Sequence, residues 1–209
     1  MKDLRGRDRL IVLGVDPGLG ETGLVLFECV GVVNSVLEVA TFSAYKNGDI
    51  IERTENLTTS IEALVDSWVH KHHVNDLLVG IEIPIIRGRA GKVNLDVYRK
   101  QVQVLYMIET LLLELPISNV RIVEVNPTES KKVLTGNGAA DKDEMVTASP
   151  FGLLSLHYPK STAEALADAY AHGLAAVVLV GLEARVGGNY FVTGNRTLQL
   201  VEPNMEESW

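Results

Sequence analysis

RLIVLGVDPGLGETGLVLFECV, residues 9–30, is the stretch that decides the fold. Its first apolar run, Leu10 to Val15, ends on a carboxylate, Asp16. Pro17 and Gly18 follow at once, so the chain turns there. Thr22 and Gly23 lead into a second run, Leu24 to Val30. Two such runs joined by a Gly-rich turn predict a β-hairpin. A charged Asp at the tip of a buried strand is costly unless a cation compensates it. The remaining sequence is therefore read for further carboxylates that reach the same place.

Outward from this hairpin, VLEVATFS at 36–43 predicts a third strand, and NGD at 47–49 a loop. Short links make these three strands an antiparallel meander. Asn56 is the expected N-cap of a helix from Leu57 to about His72, whose apolar positions Leu57, Ile61, Leu64, Val65 and Trp68 keep the helical period. His70, His72 and His73 at its end read as imidazoles favoured by the helix dipole rather than as a metal cluster. Leu77 to Ile81 is a wholly apolar strand that ends on Glu82, with Pro84 as breaker. IRGRAGK at 86–92 is a basic loop. A helix is expected from about Val93 to Leu115, with apolar coverage wide enough to need burial on more than one side, in the core or in a dimer. Val120 to Val125 is the fifth strand. Pro127 opens a short helix bearing Lys131 and Lys132, TGNG makes a tight loop, and ADKDEMV opens another helical segment. The last helix is expected at 161–180, with Glu164, Asp168 and His172 spaced i, i+4, i+8 on one face. His172 reads as a packed histidine. The class expected is α/β, with a mixed five-stranded sheet whose first three strands are antiparallel and helices on both faces.

Size and charge narrow the function. The 209 residues, 46% of them apolar, suffice for one domain with a full core. Residues 1–182 are expected to form that domain. Residues 183–209 read as a C-terminal extension with a Gly187-Gly188 hinge, a small hairpin and a frayed acidic end. A net charge of −8 argues against a general nucleic-acid coat protein and for an enzyme. The single cysteine, Cys29, excludes an intrachain disulfide and reads as a buried small hydrophobe in a reducing compartment. The N-terminus lacks the apolar core of a signal peptide, and the run Leu174 to Leu182 is too short to span a bilayer. A cytoplasmic protein without membrane contact is expected.

Three carboxylates stand at special places: Asp16 and Glu82 at strand ends and Asp168 on the last helix. Ligands bind at strand ends in α/β sheets. Clustered carboxylates repel one another unless a cation sits among them, and oxygen-rich sites suit Mg²⁺ or Mn²⁺. Two such ions about 4 Å apart serve phosphodiester cleavage.

DPGLGETG at 16–23, IEIP at 81–84, KKVLTGNGAADKDEM at 131–145 and LADAYAHGLA at 166–175 together resemble the RuvC-type Holliday-junction resolvases, over roughly residues 9–180. DPG…TG alone is also found in the phosphate loops of actin-like ATPases; the 131–145 segment is the specific part. The resemblance implies the RNase H-like fold and metal ligands at Asp16, Glu82 and Asp168, holding Mg²⁺ (Mn²⁺ substituting) as two ions. It implies Lys131 and Lys142 beside the scissile strand. It also implies a homodimer acting on branched DNA, with hydrolysis that leaves a 5′-phosphate. The family's fourth ligand, acidic or His, usually sits three residues before the last Asp, where this chain has Ala165. Glu164, one residue earlier, has two readings: a substitute metal and catalytic ligand, or the partner of Ser161 in a capping box. The positive residues Arg87, Arg89, Lys92, Arg99, Lys100, Lys131, Lys132 and Lys142 concentrate where DNA would run. The rival classes are a related nuclease for flaps, other branches or RNA–DNA hybrids, a phosphate-binding fragment of an actin-like or sugar-kinase ATPase, and a non-catalytic scaffold.

Overall fold

The structure, a computed structural model, describes residues 9–185 apart from 19, 31–32, 44–48, 85–87, 90–91, 94 and 153–157. The expected extension beyond residue 185, with its hinge and hairpin, lies outside the described residues, as does Arg87. The hairpin quoted above forms as expected: β1 (Arg9–Asp16) pairs antiparallel with β2 (Thr22–Val30), and Asp16 lies opposite Gly23. β3 (Val33–Phe42) completes the antiparallel meander. β4 (Asp76–Glu82) lies parallel to β1 on its other side, and β7 (Asn119–Val125) parallel to β4. The sheet order is β3-β2-β1-β4-β7. The residues read as a basic loop form a separate two-stranded hairpin, β5 (Gly88–Arg89) with β6 (Lys92–Val93).

Strand alternation divides the core in two. Ile11, Leu13 and Val15 of β1, with Leu77, Val79 and Ile81 of β4, pack against α1 (Ile50–Lys71) and α2 (Leu95–Leu113). Val12 and Leu78 point the other way, into α5 (Lys160–Arg185), with Met145 and Phe151 beside it. Gly14 and Asp16 follow Val12 on that second face, and Gly80 and Glu82 follow Leu78. The sequence period thus decides that both strand-end carboxylates face α5.

Two boundaries differ most from the sequence reading. α1 starts seven residues early because the Asp49 carboxylate, not Asn56, takes the Ile51 and Glu52 amides, each at 2.9 Å. The extra turns are largely exposed, so no apolar period announces them. α5 runs on through residue 182 to Arg185, past the expected domain limit. By length and composition α5 would pass for a membrane span, but its small residues are buried within the protein: Ala167, Ala169, Ala171 and Ala176 are all at 0% exposure.

α5 sits very close to the sheet. A Cβ on Gly14 would lie 1.9 Å from the Ala169 carbonyl oxygen, and one on Gly80 2.2 Å from that of His172. Gly14 and Gly80 are register partners on adjacent strands, so together they make a floor on which the helix backbone rests. That contact brings the helix's polar residues down to the strand ends. α3 (Pro127–Thr135) and α4 (Lys142–Ala148) pack on the same side. Both have complete capping boxes, Asn126 with Glu129 and Asp141 with Glu144. Between them Gly136 takes the left-handed conformation, φ 79°, that ends α3.

Candidate active site

A cleft of about 460 Å³ opens at the C-terminal ends of β1 and β4. Asp16 and Glu82 reach it from adjacent parallel strands, Asp168 and His172 from α5, Ser130 and Lys131 from α3, and Lys142 from the start of α4. Val97 and Gln101 of α2 close one side. The turn after Asp16 is tied by Thr22, whose hydroxyl donates to the Gly18 carbonyl at 2.7 Å. Glu21 in the same turn accepts from Thr162 at 3.0 Å, which fastens the turn to α5.

Among the described residues, a set of donor atoms converges that differs from the expected one. One oxygen each from Asp16 and Glu82 and one nitrogen of His172 lie within 4.8 Å of one another. His172, read from sequence as packing, is indeed buried, at 2% exposure, but its Nε2 lies 3.1 Å from Glu82 Oε2. The two are at ion-pair distance without the alignment of a hydrogen bond, and among the described residues Nε2 has no other partner. Asp168 lines the same cleft, its Oδ2 3.9 Å from Lys142 Nζ. Glu164 pairs with Lys142 at 3.0 Å and lies 3.9 Å from Lys160. α5 begins at Lys160, one residue before Ser161, so no capping box forms there. Ala165 offers no donor; it is buried, and its carbonyl faces Gly23.

The other expected positive residues spread outward. Lys131 Nζ donates to the Ala140 carbonyl, linking α3 to the start of α4. Lys132 and Arg99 are exposed on α3 and α2, and Arg89 and Lys92 are register partners in the small hairpin. The anions near Lys131 and Lys142 are engaged elsewhere: Glu129, Asp141 and Glu144 cap helices, and Asp143 pairs with Lys160 at 2.8 Å. Far from the cleft, His72 Nε2 meets Glu38 at 2.8 Å and His70 Nδ1 meets the Asp66 carbonyl at 2.9 Å, so the histidines at the end of α1 form no shared site.

Enclosure and crowding unbalance these charges. Burial, above all, pushes Asp16 up to about 7, and Glu82 and Asp168 push the same way, against His172 and Lys142. Burial likewise raises Asp168, and His172 and Lys142 oppose it. Burial works against the Lys142 ammonium, but its hydrogen bond to Glu164 and the nearby Asp168 outweigh that and hold it above the ordinary lysine value. A half-buried carboxylate pushed up beside two others, and a buried nitrogen without an aligned hydrogen bond among the described residues, are what a divalent cation would satisfy. The residues present therefore fit a metal.

The sign of the Asp16 shift gives an expected result. Its folded pKa lies above the unfolded value, so its contribution to stability is full below about 4 and is lost as pH rises through about 7. In chelator, Asp16→Asn should raise the melting temperature relative to the parent chain at pH 8, by about 2–4 °C per kcal/mol relieved. The gap should shrink toward pH 5. A variant less stable than the parent at both pH values would mean that Asp16 is not strained by enclosure.

Solved structures share this architecture. RuvC of Thermus thermophilus in complex with a Holliday junction substrate superposes with a TM-score of 0.61 at 20% identity, covering 83% of this chain and 96% of that one. The yeast mitochondrial Holliday junction resolvase Ydc2 gives 0.56 at 12% identity over 84% of this chain and 80% of its own. Among curated sequences, the crossover junction endodeoxyribonuclease RuvC of Salinibacter ruber is 30% identical over 166 residues, 78% of this chain and 85% of the relative. That of Corynebacterium diphtheriae is 29% identical over 162 residues, 77% and 91%. Residues 12–174 match the family described as crossover junction endodeoxyribonuclease RuvC, a span that runs from the first core strand through the α5 face carrying Asp168 and His172. On that match the chain belongs to the RuvC family.

Proposed function

We propose that this chain is a metal-dependent endonuclease that resolves four-way DNA junctions by hydrolysing phosphodiesters. The observation that carries the reading is the meeting of Asp16 and Glu82, from adjacent parallel strands, with the α5 residues in one cleft of a RuvC-family chain. Asp16, Glu82 and Asp168 would hold Mg²⁺, with Mn²⁺ as substitute, and three carboxylates suit two ions. Bound there, such ions supply Lewis acidity that favours attack by water and stabilises the leaving oxygen.

The chain's own residues do the positioning. Lys142, held by Glu164, extends over the Asp168 side of the cleft, where it can orient a phosphate. Glu164 thereby acts through Lys142, as a positioning residue. Lys131 steadies the α3–α4 loop through Ala140 while adding positive charge to the cleft wall. From the sequence, Arg87, Arg89, Lys92, Arg99 and Lys132 are the residues offered for phosphate contacts, which would give affinity without reading sequence.

Selection for a branched substrate comes from a two-fold dimer that presents two sites to two symmetric strands. An apolar stripe on α2 supports that arrangement: Leu95, Tyr106 and Leu113 are 54%, 61% and 62% exposed. At 100° per residue these three fall on one line of the helix, away from the buried Ile108 and Leu112.

The test is cleavage of a synthetic four-way junction in Mg²⁺, beside linear duplex, flap, RNA–DNA hybrid and ATP. Paired symmetric nicks in the junction alone support the reading. Preference for a flap or hybrid would assign a related nuclease, and ATP turnover without DNA cleavage would overturn it.

The lysines should separate by position. Under single-turnover conditions with saturating enzyme, Lys142→Gln and Lys131→Gln should lower the cleavage rate by about 10²-fold, comparable to the loss of one positioned electrostatic contact. Lys132→Gln should instead weaken binding and reduce the salt slope by about one unit, as for one lost phosphate contact. Unchanged rates for the first two would leave them as surface charges.

A further inference from the structure

The geometry points to His172 as a nitrogen ligand of the divalent cation in this cleft, with Ser130 as the residue that positions it. This rests on the metal reading above and goes beyond its three carboxylates.

The two ring nitrogens of His172 have different surroundings. Nδ1 lies 2.7 Å from the Ser130 hydroxyl, across the α3–α5 contact. That hydroxyl also donates to the Asn126 carbonyl one turn back, at 3.3 Å. A hydroxyl carries one hydrogen, so once it is directed to Asn126 the oxygen can only accept from His172. With the hydroxyl hydrogen directed to Asn126, Nδ1 carries a ring hydrogen, and the ring in its neutral form offers the Nε2 lone pair to a cation. Nε2 is the atom that faces the carboxylates, buried, 3.1 Å from Glu82 and without an aligned partner. A nitrogen lone pair and a carboxylate oxygen at that separation repel each other unless a cation lies between or beside them. A ligating imidazole that donates its other N–H to a fixed acceptor is the usual arrangement at metal sites, because the second bond fixes tautomer and ring orientation.

The position of the ring is also built in. Its own carbonyl rests on Gly80, two residues before Glu82 on the same face. The close approach of helix to sheet that places Asp168 therefore places His172 as well. Asp16, Glu82 and His172 form a mixed oxygen–nitrogen set. Imidazole suits transition ions better than Mg²⁺, so the set should favour Mn²⁺ over Mg²⁺ more than carboxylates alone would.

The experiment reads the metal directly, with the full chain and no DNA. Mn²⁺ is bound to protein labelled with ¹⁵N-histidine and to unlabelled protein, and pulsed electron paramagnetic resonance records nitrogen coupling to the ion. Calorimetry gives Mn²⁺ and Mg²⁺ affinities for the parent, His172→Gln, Ser130→Ala and Asp16→Asn. Coupling that changes isotope with the label supports the inference, and it needs no variant to fold. His172→Gln should remove the coupling and weaken Mn²⁺ by about 10–100-fold, with a smaller loss for Mg²⁺. Ser130→Ala should keep the coupling and weaken Mn²⁺ about tenfold, since the ring is still present but no longer held. Bound Mn²⁺ without nitrogen coupling in the parent chain, while Asp16→Asn abolishes binding, would overturn the His172 assignment and leave the carboxylate site standing. Mn²⁺ binding that survives Asp16→Asn unchanged would overturn both.

Discussion

Asp16→Asn, Glu82→Gln and Asp168→Asn should each reduce junction cleavage by at least about 10³-fold, which corresponds to a loss of roughly 4 kcal/mol of transition-state stabilisation. The amides keep the shape of each side chain and remove the charge that a metal needs. Junction binding should change little, because most of its affinity comes from phosphate contacts made by lysines and arginines elsewhere. The parent chain and the variants are compared by single-turnover cleavage and by gel retardation without metal. Asp16→Asn serves as its own folding control, since it is expected to be the more stable protein in chelator. Parallel loss of binding and cleavage in all three would make these residues structural. Full activity in any one would remove it from the site.

Gly80→Ala should harm both the fold and the reaction, from a single methyl group. The added Cβ meets the His172 carbonyl oxygen at 2.2 Å and its carbon at 2.6 Å. Both belong to helix backbone, so relief requires α5 to lift rather than a side chain to turn aside. Overpacking of this kind costs about 1–3 kcal/mol, occasionally more. For a chain of this size that lowers the melting temperature by about 2–4 °C per kcal/mol. Lifting α5 also moves Asp168 and His172 away from Asp16 and Glu82. A misplacement of about 1 Å at a reacting centre costs on the order of 10²-fold in rate. Gly181→Ala on the same helix is the control: a Cβ there meets nothing within 4 Å among the described residues, and alanine favours the helix. Equal melting temperatures and rates for Gly80→Ala and the parent would show that α5 does not rest on this floor.

The chain shows how far local patterns reach. The continuous apolar runs Leu10–Val15 and Leu77–Ile81 located β1 and β4, and their terminal carboxylates were legible because a charge rarely ends a buried apolar run without a partner. The strand period placed Asp16 and Glu82 on one face. The short helices were legible too, since Pro127 and the TGNG loop mark the limits of α3 and each acts within a few residues, while the Asn126 cap emerged with the structure. The start of α1 was not, because Asp49 opens turns that carry little apolar period.

What the sequence determined by itself was the order and direction of the elements and the face on which the carboxylates stand, because periodicity and chain breakers operate between near neighbours. The tertiary structure alone decided the company those carboxylates keep. Glu164 had two sequence readings, capping and ligation, and the fold turned it to Lys142, 22 residues away in the chain. His172 reads as a core residue by its neighbours Tyr170, Ala171 and Gly173, and only its contacts with Ser130 and Glu82 reveal a polar purpose. Those partners lie 42 and 90 residues away in sequence. No local period encodes such distances: they are met when the glycines of β1 and β4 let α5 come down onto the sheet.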